Sequence, residues 1–393
     1  MNIKRRDFLK QVAFISLYPL HSSNLSAITS KNFFPTLTAS GSPMNLGLAH
    51  GKTFNIQIKK NLLFYIKWII SEEKNRLKEL YNSARCFIPI IKETFPEQLE
   101  EMQGIAKGAD LSLEEIIIIN ARTDLKFLFN KKQLKENPGC TSLAIESEFN
   151  NKPALAIGQN WDWNTHFKST SVILRLTPDN GPKFVTFTEA GMLGKIGFNE
   201  NKIGVCLNYL KHISNNINTG FGIPIHSLLR VVMTSKSLED AYSKISLSKR
   251  CACANFMIAQ HKESGPDIMD VEITPDAVAI IKPEKNYLLH TNHYISPSLS
   301  GGCMTKNSFS SNNRYKTGYK KLDSLNISNL DPVKSIKKVL SLREGAPHSI
   351  SRSKAKDSQS TTIAGVIMDL TGNNLYIASG SPHKYPWVKL KGI

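Results

Sequence analysis

Beyond its N-terminus, the 393-residue chain has no uninterrupted apolar run of about 18 residues, so no stable membrane span is expected. It has no Gly/Ser- or Pro-rich linker and no repeat period, which argues against tethered modules and solenoids. Cysteine is sparse and scattered, at 86, 140, 206, 251, 253 and 303, and its one Cys-x-Cys matches no zinc spacing. Acids are few, 32 Asp and Glu against 50 Lys and Arg, for a net charge of +18. That balance favours anionic surfaces or acidic ligands. No zinc-finger or basic-aromatic RNA motif accompanies it, so nucleic acid is not an expected partner. A hydrophobic content of 41% with 21% charged residues is enough to build a large core.

The chain begins MNIKRRDFLKQVAFISLYPLHSSNLSAIT: a basic start, an apolar run from Val12 to Leu20, then small and polar residues. This is signal-peptide order, and the run is too short to cross a bilayer. RRDFLK, with Arg5, Arg6, Phe8, Leu9 and Lys10, has the form of a twin-arginine motif, although Lys4 departs from the usual Ser or Thr. Leu25-Ser26-Ala27 is an acceptable cleavage site. Residues 1–27 are therefore expected to be an export signal, and the periplasm or cell envelope the address. A basic amphipathic helix is the alternative. Cargo exported already folded does not need disulfides to make its fold, so a free, chemically used Cys is compatible with export.

From Pro43 to about Phe129, apolar residues recur at three- and four-residue spacing, which predicts helices. Pro96 suits a first helical position, and Ser112 with Glu115 makes a capping box. Gly104 and Gly108 read as packing or cap positions, and residues 28–43 as an exposed lead-in. After Gly139 the period changes. CTSLAIESE, ALAIGQNW, SVILRLTP, KFVTFTEA, LGKIGFN and IGVCLNYL read as six short strands between Asn/Gly/Pro turns. Helices are expected near 223–234 and 237–246, followed by strands NFMIAQ, IMDVEIT, AVAIIKP and NYLLHTN. Two more helices, near 313–323 and 332–342, precede strands TTIAGVIMDL and NLYIASG. Two strand blocks around central helices, without βαβ alternation, predict an α+β protein. Its two antiparallel sheets would lie between helical layers, with a helical N-terminal region.

Where the period changes stands NPGCTSLAI, residues 137–145. Cys140 has three readings. It is a buried thiol after a turn, a nucleophile activated by a His from elsewhere, or a nucleophile that becomes a new N-terminus. In the last case its freed α-amine, with a pKa of about 7.7–8.0, shuttles the proton. The cut can be self-made, by attack of the thiol on the Gly139 carbonyl. Gly139 offers no side chain to hinder that attack, and Pro138 would help fix the turn.

The text around Cys140 closely resembles the acyl-coenzyme A:6-aminopenicillanate acyltransferase family, the C45 group of N-terminal-nucleophile (Ntn) hydrolases. The shared motifs are GCTSLAI, GQNWDW (158–163), EAGMLGKIGFNENKIGVCLN (189–208), GIPIHSLLR (222–230), ANFMIA (254–259) and LHTNHY (289–294). GSPMNLGLAHG (41–51), EMQGIAKGA (101–109) and NARTD (120–124) extend the resemblance, which covers roughly residues 40–390. It implies a four-layer αββα Ntn-hydrolase sandwich. Residues 28–139 would be a helical pro-segment, and 140–393 the catalytic fragment.

By the same resemblance, Cys140 is the processing and then the catalytic nucleophile, with the cut between Gly139 and Cys140. Asp162 is the acid that orients the new amine, and Asn292 is the side-chain donor to the oxyanion. Asn208 is a possible additional Asn of the site. The family's Arg before the last long strand has no match here: Ser358 or Gln359 takes its place, with Arg352 and Lys356 nearby. Glu189, Arg122 and Asp124 fit either chemistry or a salt bridge between the two fragments. His290 and His293 read as structural or pocket-lining, without a metal, because HTNH has no acidic or Cys neighbour in sequence. His226 reads as a helix residue packed on the core. Trp161 and Trp163 read as core, with lining of an acyl pocket as the alternative. No cofactor is implied. The expected partners are a small acyl amide or thioester substrate and the chain's own N-terminal fragment. The implied activity is hydrolysis or transfer of an acyl group from a small amide, such as an N-acyl amino acid, an amine or a β-lactam-like compound. Alternatives are an acyl-CoA-dependent transferase and an inactive basic surface-binding relative.

Overall fold

The computed structural model describes residues 33–393 apart from 72, 130–138, 217–219 and 355–359. The expected signal at 1–27, Pro138, and Lys356, Ser358 and Gln359 lie outside these residues.

The N-terminal part holds strand β1 (Thr36–Gly41) and helices α1 (Pro43–Thr53), α2 (Asn55–Ile70), α3 (Leu77–Thr94), α4 (Pro96–Ala109), α5 (Leu113–Asn120) and α6 (Arg122–Phe129). The capping box forms as the sequence predicts. Ser112 N donates to Glu115 Oε2 at 2.8 Å, and Glu115 N donates to Ser112 Oγ at 3.3 Å, which sets the start of α5. Helices α1 and α4 cross with backbones almost touching, through Gly47, Gly51, Gly104 and Gly108. A Cβ at Gly104 would overlap the Met44 carbonyl oxygen, and one at Gly108 would overlap that of Leu48. Packing is thus the role of Gly104 and Gly108, as expected.

The rest begins with β2 (Thr141–Phe149), β3 (Lys152–Asn164), β4 (Ser171–Pro178), β5 (Phe184–Glu189), β6 (Ile196–Asn199) and β7 (Ile203–Tyr209). Next come α7 (Ile225–Met233), α8 (Leu238–Leu247), β8 (Ala254–Lys262), β9 (Gly265–Ile273), β10 (Val278–Ile281) and β11 (Tyr287–His290). The chain ends with α9 (Pro297–Ser300), α10 (Phe309–Asp323), α11 (Pro332–Leu340), β12 (Ser360–Asp369), β13 (Asn374–Ala378) and β14 (Trp387–Lys391). Two sheets result, ordered β1-β4-β5-β6-β7-β8-β9-β10 and β11-β2-β3-β12-β13-β14. They pack face to face, with α7 and α8 on the outer face of the first and α10 and α11 on that of the second. This is the expected αββα sandwich. Because both faces of each sheet are covered, strands such as β8 are buried on both sides over most of their length and read as apolar runs with few polar breaks.

Two strands were not expected. Residues 36–41 are no exposed lead-in but β1, which pairs with β4 in parallel (Thr36 opposite Ile173). The eight-stranded sheet is therefore mixed. At the end of the other sheet, β14 pairs with β13. Both are edge strands, and TLTASG and WVKLK lack the apolar runs of the inner strands, because an edge needs less burial and tolerates charge.

The N-terminal helices are held to the sandwich by polar as well as apolar contacts. Tyr65 stacks on Phe167 with centroids 5.1 Å apart, and Asn61 Nδ2 donates to Ala190 O at 2.9 Å. Arg230 of α7 grips Glu101 of α4 with two hydrogen bonds, of 2.9 and 2.5 Å, in a buried pair. The helix crossing yields the first prediction. Gly104→Ala should lower stability by about 1–3 kcal/mol through overpacking, read as a lower Tm. Lys107→Ala, on the exposed face of the same helix, should leave Tm unchanged.

Candidate active site

Sheet register assembles the site. Thr141 lies opposite Asn160, so Gly139 and Cys140, just before β2, fall beside the Trp161–Asp162 end of β3. His290 lies opposite Ser142, and two residues further on Asn292 draws level with Cys140. Thr362 of β12 lies opposite Asp162. Three of the expected residues are thus gathered at one end of three adjacent strands, and Asn208 faces them from β7 of the other sheet. All four are buried.

Cys140 N donates to Asn292 Oδ1 at 2.8 Å, and Arg314 Nη2 donates to the same oxygen at 2.9 Å. Asn292 Nδ2 donates to Tyr209 O at 3.0 Å. Both groups facing Oδ1 can only donate, and the Tyr209 carbonyl can only accept, so the orientation of this amide is fixed. The Cys140 carbonyl accepts from Arg314 Nη1 and, at 3.3 Å, from Asn208 Nδ2, which also donates to His290 O at 3.2 Å. Ser142 Oγ donates to Asn208 Oδ1 at 2.6 Å.

Asp162 Oδ1 accepts from Thr362 Oγ1 at 2.6 Å. Its Oδ2 has no hydrogen-bond partner among the described residues and stands 3.6 Å from Arg352 Nε. Arg352 also explains Gly139, because a Cβ there would run into the guanidinium. Arg352 thus places a positive charge beside Asp162. Burial pushes the Asp162 carboxyl up to about 6, against the pull of Arg352 and Arg314. Burial, and then the charge of Asp162, raise the Cys140 thiol, so it is protonated at neutral pH and needs a base. Arg314 is lowered to about 10 by burial and by Arg352, and stays charged at neutral pH.

Cys140 opens on a pocket lined by Trp68, Trp161, Trp163, Tyr209, Arg122 and Lys195, with about 560 Å³ of empty space counting its mouth. Its aromatic walls, broken by a few polar groups, have the chemistry of a small-molecule site. Trp161 and Trp163 are thus both core and pocket wall. Below the pocket, Glu189 receives Lys195 Nζ at 2.8 Å, Arg122 Nη2 at 3.3 Å and the Tyr65 hydroxyl. Burial works against this carboxylate, but Lys195 and Arg122 hold its pKa at about 2. Burial lowers Lys195 to about 7 against the charge of Glu189. Arg122–Glu189 does bridge the N-terminal helices and the sandwich, while Asp124 accepts from Ile225 N at 3.4 Å. His226 is buried in α7, as expected. His290 is not without acids: the fold brings Glu272 and Asp270 of β9 to it. Sequence reasoning missed Arg314 and Lys195. Lys195 sat inside a quoted motif, whereas Arg314 lies in the polar run SNNRYKTGYKK, which carries no signal of a site.

A model of the family described as acyl-coenzyme A:6-aminopenicillanic acid acyl-transferase matches residues 149–384, more than half of the chain. The chain belongs to this family. The match includes Asp162, Asn208, Asn292, Arg314 and Arg352, with Cys140 just upstream. Over 356 residues, 88% of this chain and 93% of the relative, it is 28% identical to the acyl-coenzyme A:6-aminopenicillanic-acid-acyltransferase 40 kDa form of Emericella nidulans. It is 21% identical to the beta-alanyl-dopamine/carcinine hydrolase of Drosophila melanogaster over 225 residues, 53% of this chain and 56% of the relative. Among solved structures it is similar to the Caenorhabditis elegans ortholog of N-acylethanolamine-hydrolyzing acid amidase. There the TM-score is 0.44 and the identity 17%, covering 59% of this chain and 93% of that one. Like the family, this chain is an enzyme of the acyl-transferring and amide-hydrolysing kind.

The Asp162–Arg352 contact gives a prediction. Arg352→Ala removes the nearest positive charge, so the Asp162 carboxyl, followed by carbon NMR, should titrate about 1 unit or more above its starting value near 6. An unmoved titration would show that the pair is not coupled.

Proposed function

We propose that the protein cuts itself between Gly139 and Cys140 and then works as a Cys N-terminal-nucleophile amidase. The observation that carries this is the hold on Cys140 N. The atom that would become the new amine already donates to Asn292 Oδ1 at 2.8 Å, and Asp162 Oδ2 accepts no hydrogen bond among the described residues. In processing, Cys140 Sγ attacks the Gly139 carbonyl carbon. The Gly139–Cys140 C–N bond breaks, the thiol proton ends on nitrogen, and a thioester remains. Water hydrolyses it, freeing the Gly139 carboxylate and the thiol.

In turnover the free amine, with a pKa of about 7.7–8.0, takes the thiol proton as sulfur attacks the substrate amide. Asp162 holds the amine by a charge-assisted bond. Asn292 Nδ2 has two hydrogens, one of which goes to Tyr209 O. The other, with a backbone N–H, is assigned to the oxyanion. The amine then gives its proton to the leaving nitrogen, and water releases the acyl group from Cys140. Asn208 and Arg314 keep the Cys140 carbonyl in place. Trp68, Arg122 and Thr123, from the N-terminal helices, wall the same pocket, so the N-terminal fragment remains part of the enzyme after the cut.

The export signal proposed at 1–27 supports an envelope address without acyl-coenzyme A, which favours hydrolysis of small amides over transfer. The name of the Emericella relative supports transfer from acyl-coenzyme A as the second reading. Intact-mass analysis tests the proposal: the wild type should give two fragments meeting at 139/140, and Cys140→Ala a single uncut chain. An uncut wild type that still turns over amides would instead require an ordinary His-activated Cys; uncut and inert to thiol reagents, it would be an inactive relative. Efficient use of coenzyme A thioesters with no cleavage of N-acyl amino acids, acyl amines or β-lactams would overturn the hydrolase reading.

A further inference from the structure

His290 is buried at the end of β11, two residues before Asn292, and both of its ring nitrogens face groups that can only accept. Nδ1 lies 2.9 Å from Thr291 O, and Nε2 lies 2.9 Å from Glu272 Oε1. With Glu272 ionised, the two contacts are satisfied together only by a ring carrying an N–H on each nitrogen, the imidazolium. Asp270, 4.0 Å from Nε2, adds a second carboxylate to its surroundings. Glu272 does more than balance this charge. Its Oε1 also accepts from Ile295 N at 2.7 Å, and its Oε2 from Ser296 N at 3.1 Å. One carboxylate therefore ties the ring to the far end of the segment that carries Asn292. The near end is tied by the ring itself, through Thr291 O, while the His290 carbonyl holds Asn208. Ser311 Oγ accepts from Asn292 N at 2.8 Å, and Thr305 Oγ1 donates to Asn292 O at 2.7 Å.

We propose that His290, as an imidazolium braced between Thr291 O and Glu272, is a positioning residue that fixes Asn292 against Cys140, so that loss of its proton slackens the site. The proposal rests on Cys140 and Asn292 being the reacting pair, as above. Burial works against the charge, but Asp270 and the bond to Glu272 outweigh it, so the pKa is raised above the ordinary His value. The brace is then complete below about pH 6.5, the unfolded value, and is lost as pH rises through the higher folded value. The ionisable groups that act on the ring are Asp270 and Glu272 on β9 and His293 on its own segment; around these, Arg314 of α10 acts on His293, Tyr315 and Tyr319 of α10 face the β9 carboxylates, and Cys206 of β7 faces Asp270. His293 is lowered to about 4 by burial and by His290, so it is neutral across this range.

The test has two arms. In the uncut Cys140→Ala protein, nitrogen NMR of labelled histidine should show both His290 nitrogens protonated at neutral pH. The backbone N–H of residue 140, which faces Asn292 Oδ1, should shift with the same titration. A neutral His290 ring at pH 7, or a residue-140 signal that ignores the titration, would overturn the proposal whether or not the wild type is active. In the second arm, self-cleavage is timed by cell-free pulse–chase from about pH 5 to about pH 10. The wild type should slow on the alkaline side. His290→Gln should be about tenfold slower and lack that alkaline fall, and Glu272→Gln should move the fall to lower pH. His290→Gln with wild-type rate and an intact alkaline fall would overturn the proposal. If His290→Gln does not fold, the NMR arm decides. A wild type that never cuts itself would count against the proposed function and leave the NMR arm standing.

Discussion

The Asn292 amide is the joint on which the site depends. Its oxygen takes the Cys140 N–H and an Arg314 N–H, and its nitrogen is fixed on the Tyr209 carbonyl of the opposite sheet. One neutral group thus connects the segment after β11, the start of β2, helix α10 and β7. An ionised carboxylate here would have no hydrogen to give the Tyr209 carbonyl, and an apolar side chain would leave the buried Cys140 N–H and an Arg314 N–H without this acceptor, each at a cost of about 1–3 kcal/mol. Much of the surrounding structure serves to hold this amide still. Adjacent strands set its height, Ser311 and Thr305 hold its backbone, and Glu272 pins the segment beyond it.

Charge is distributed around this joint with some economy. Arg314 and Arg352 bracket Asp162, so the carboxyl titrates near 6 although it is fully buried. On the pocket side, Lys195 and Arg122 share Glu189. The thiol sits between these two groups and is raised by burial and by Asp162. The net effect is a thiol that stays neutral until a base close at hand takes its proton.

Much of the fold was legible because the inner strands read as short apolar runs, which burial on both faces of a sheet requires, and the helices carry apolar residues at helical spacing. The two strands that escaped notice, β1 and β14, lie at sheet edges, where that requirement lapses. Cys140, Asp162, Asn208 and Asn292 could be picked out because the short motifs that hold them resemble those of the family; the residues alone did not single them out. Arg314 could not, since its position follows from how α10 lies on the second sheet and not from its neighbours in sequence. Arg352 was noticed only as a nearby charge, because the irregular segment before β12 carries no periodic signal of where it points. His290 was judged by its sequence neighbours, while its acids come from β9 of the other sheet, which only the face-to-face packing of the two sheets brings close.

The interlock between the N-terminal helices and the sandwich has a kinetic consequence. Glu101 and Arg230, Tyr65 and Phe167, and Asn61 and Ala190 O join the two parts without help from the peptide link at 139/140. An intact chain folds as a single molecule, whatever the concentration. If the chain is cut at 139/140 as proposed, the same native structure has two chains, and regaining it after unfolding needs a bimolecular encounter. The mature protein would therefore unfold as one body and recover poorly when dilute. Its lifetime would be set by the rate at which the interlock opens more than by an equilibrium between folded and unfolded forms.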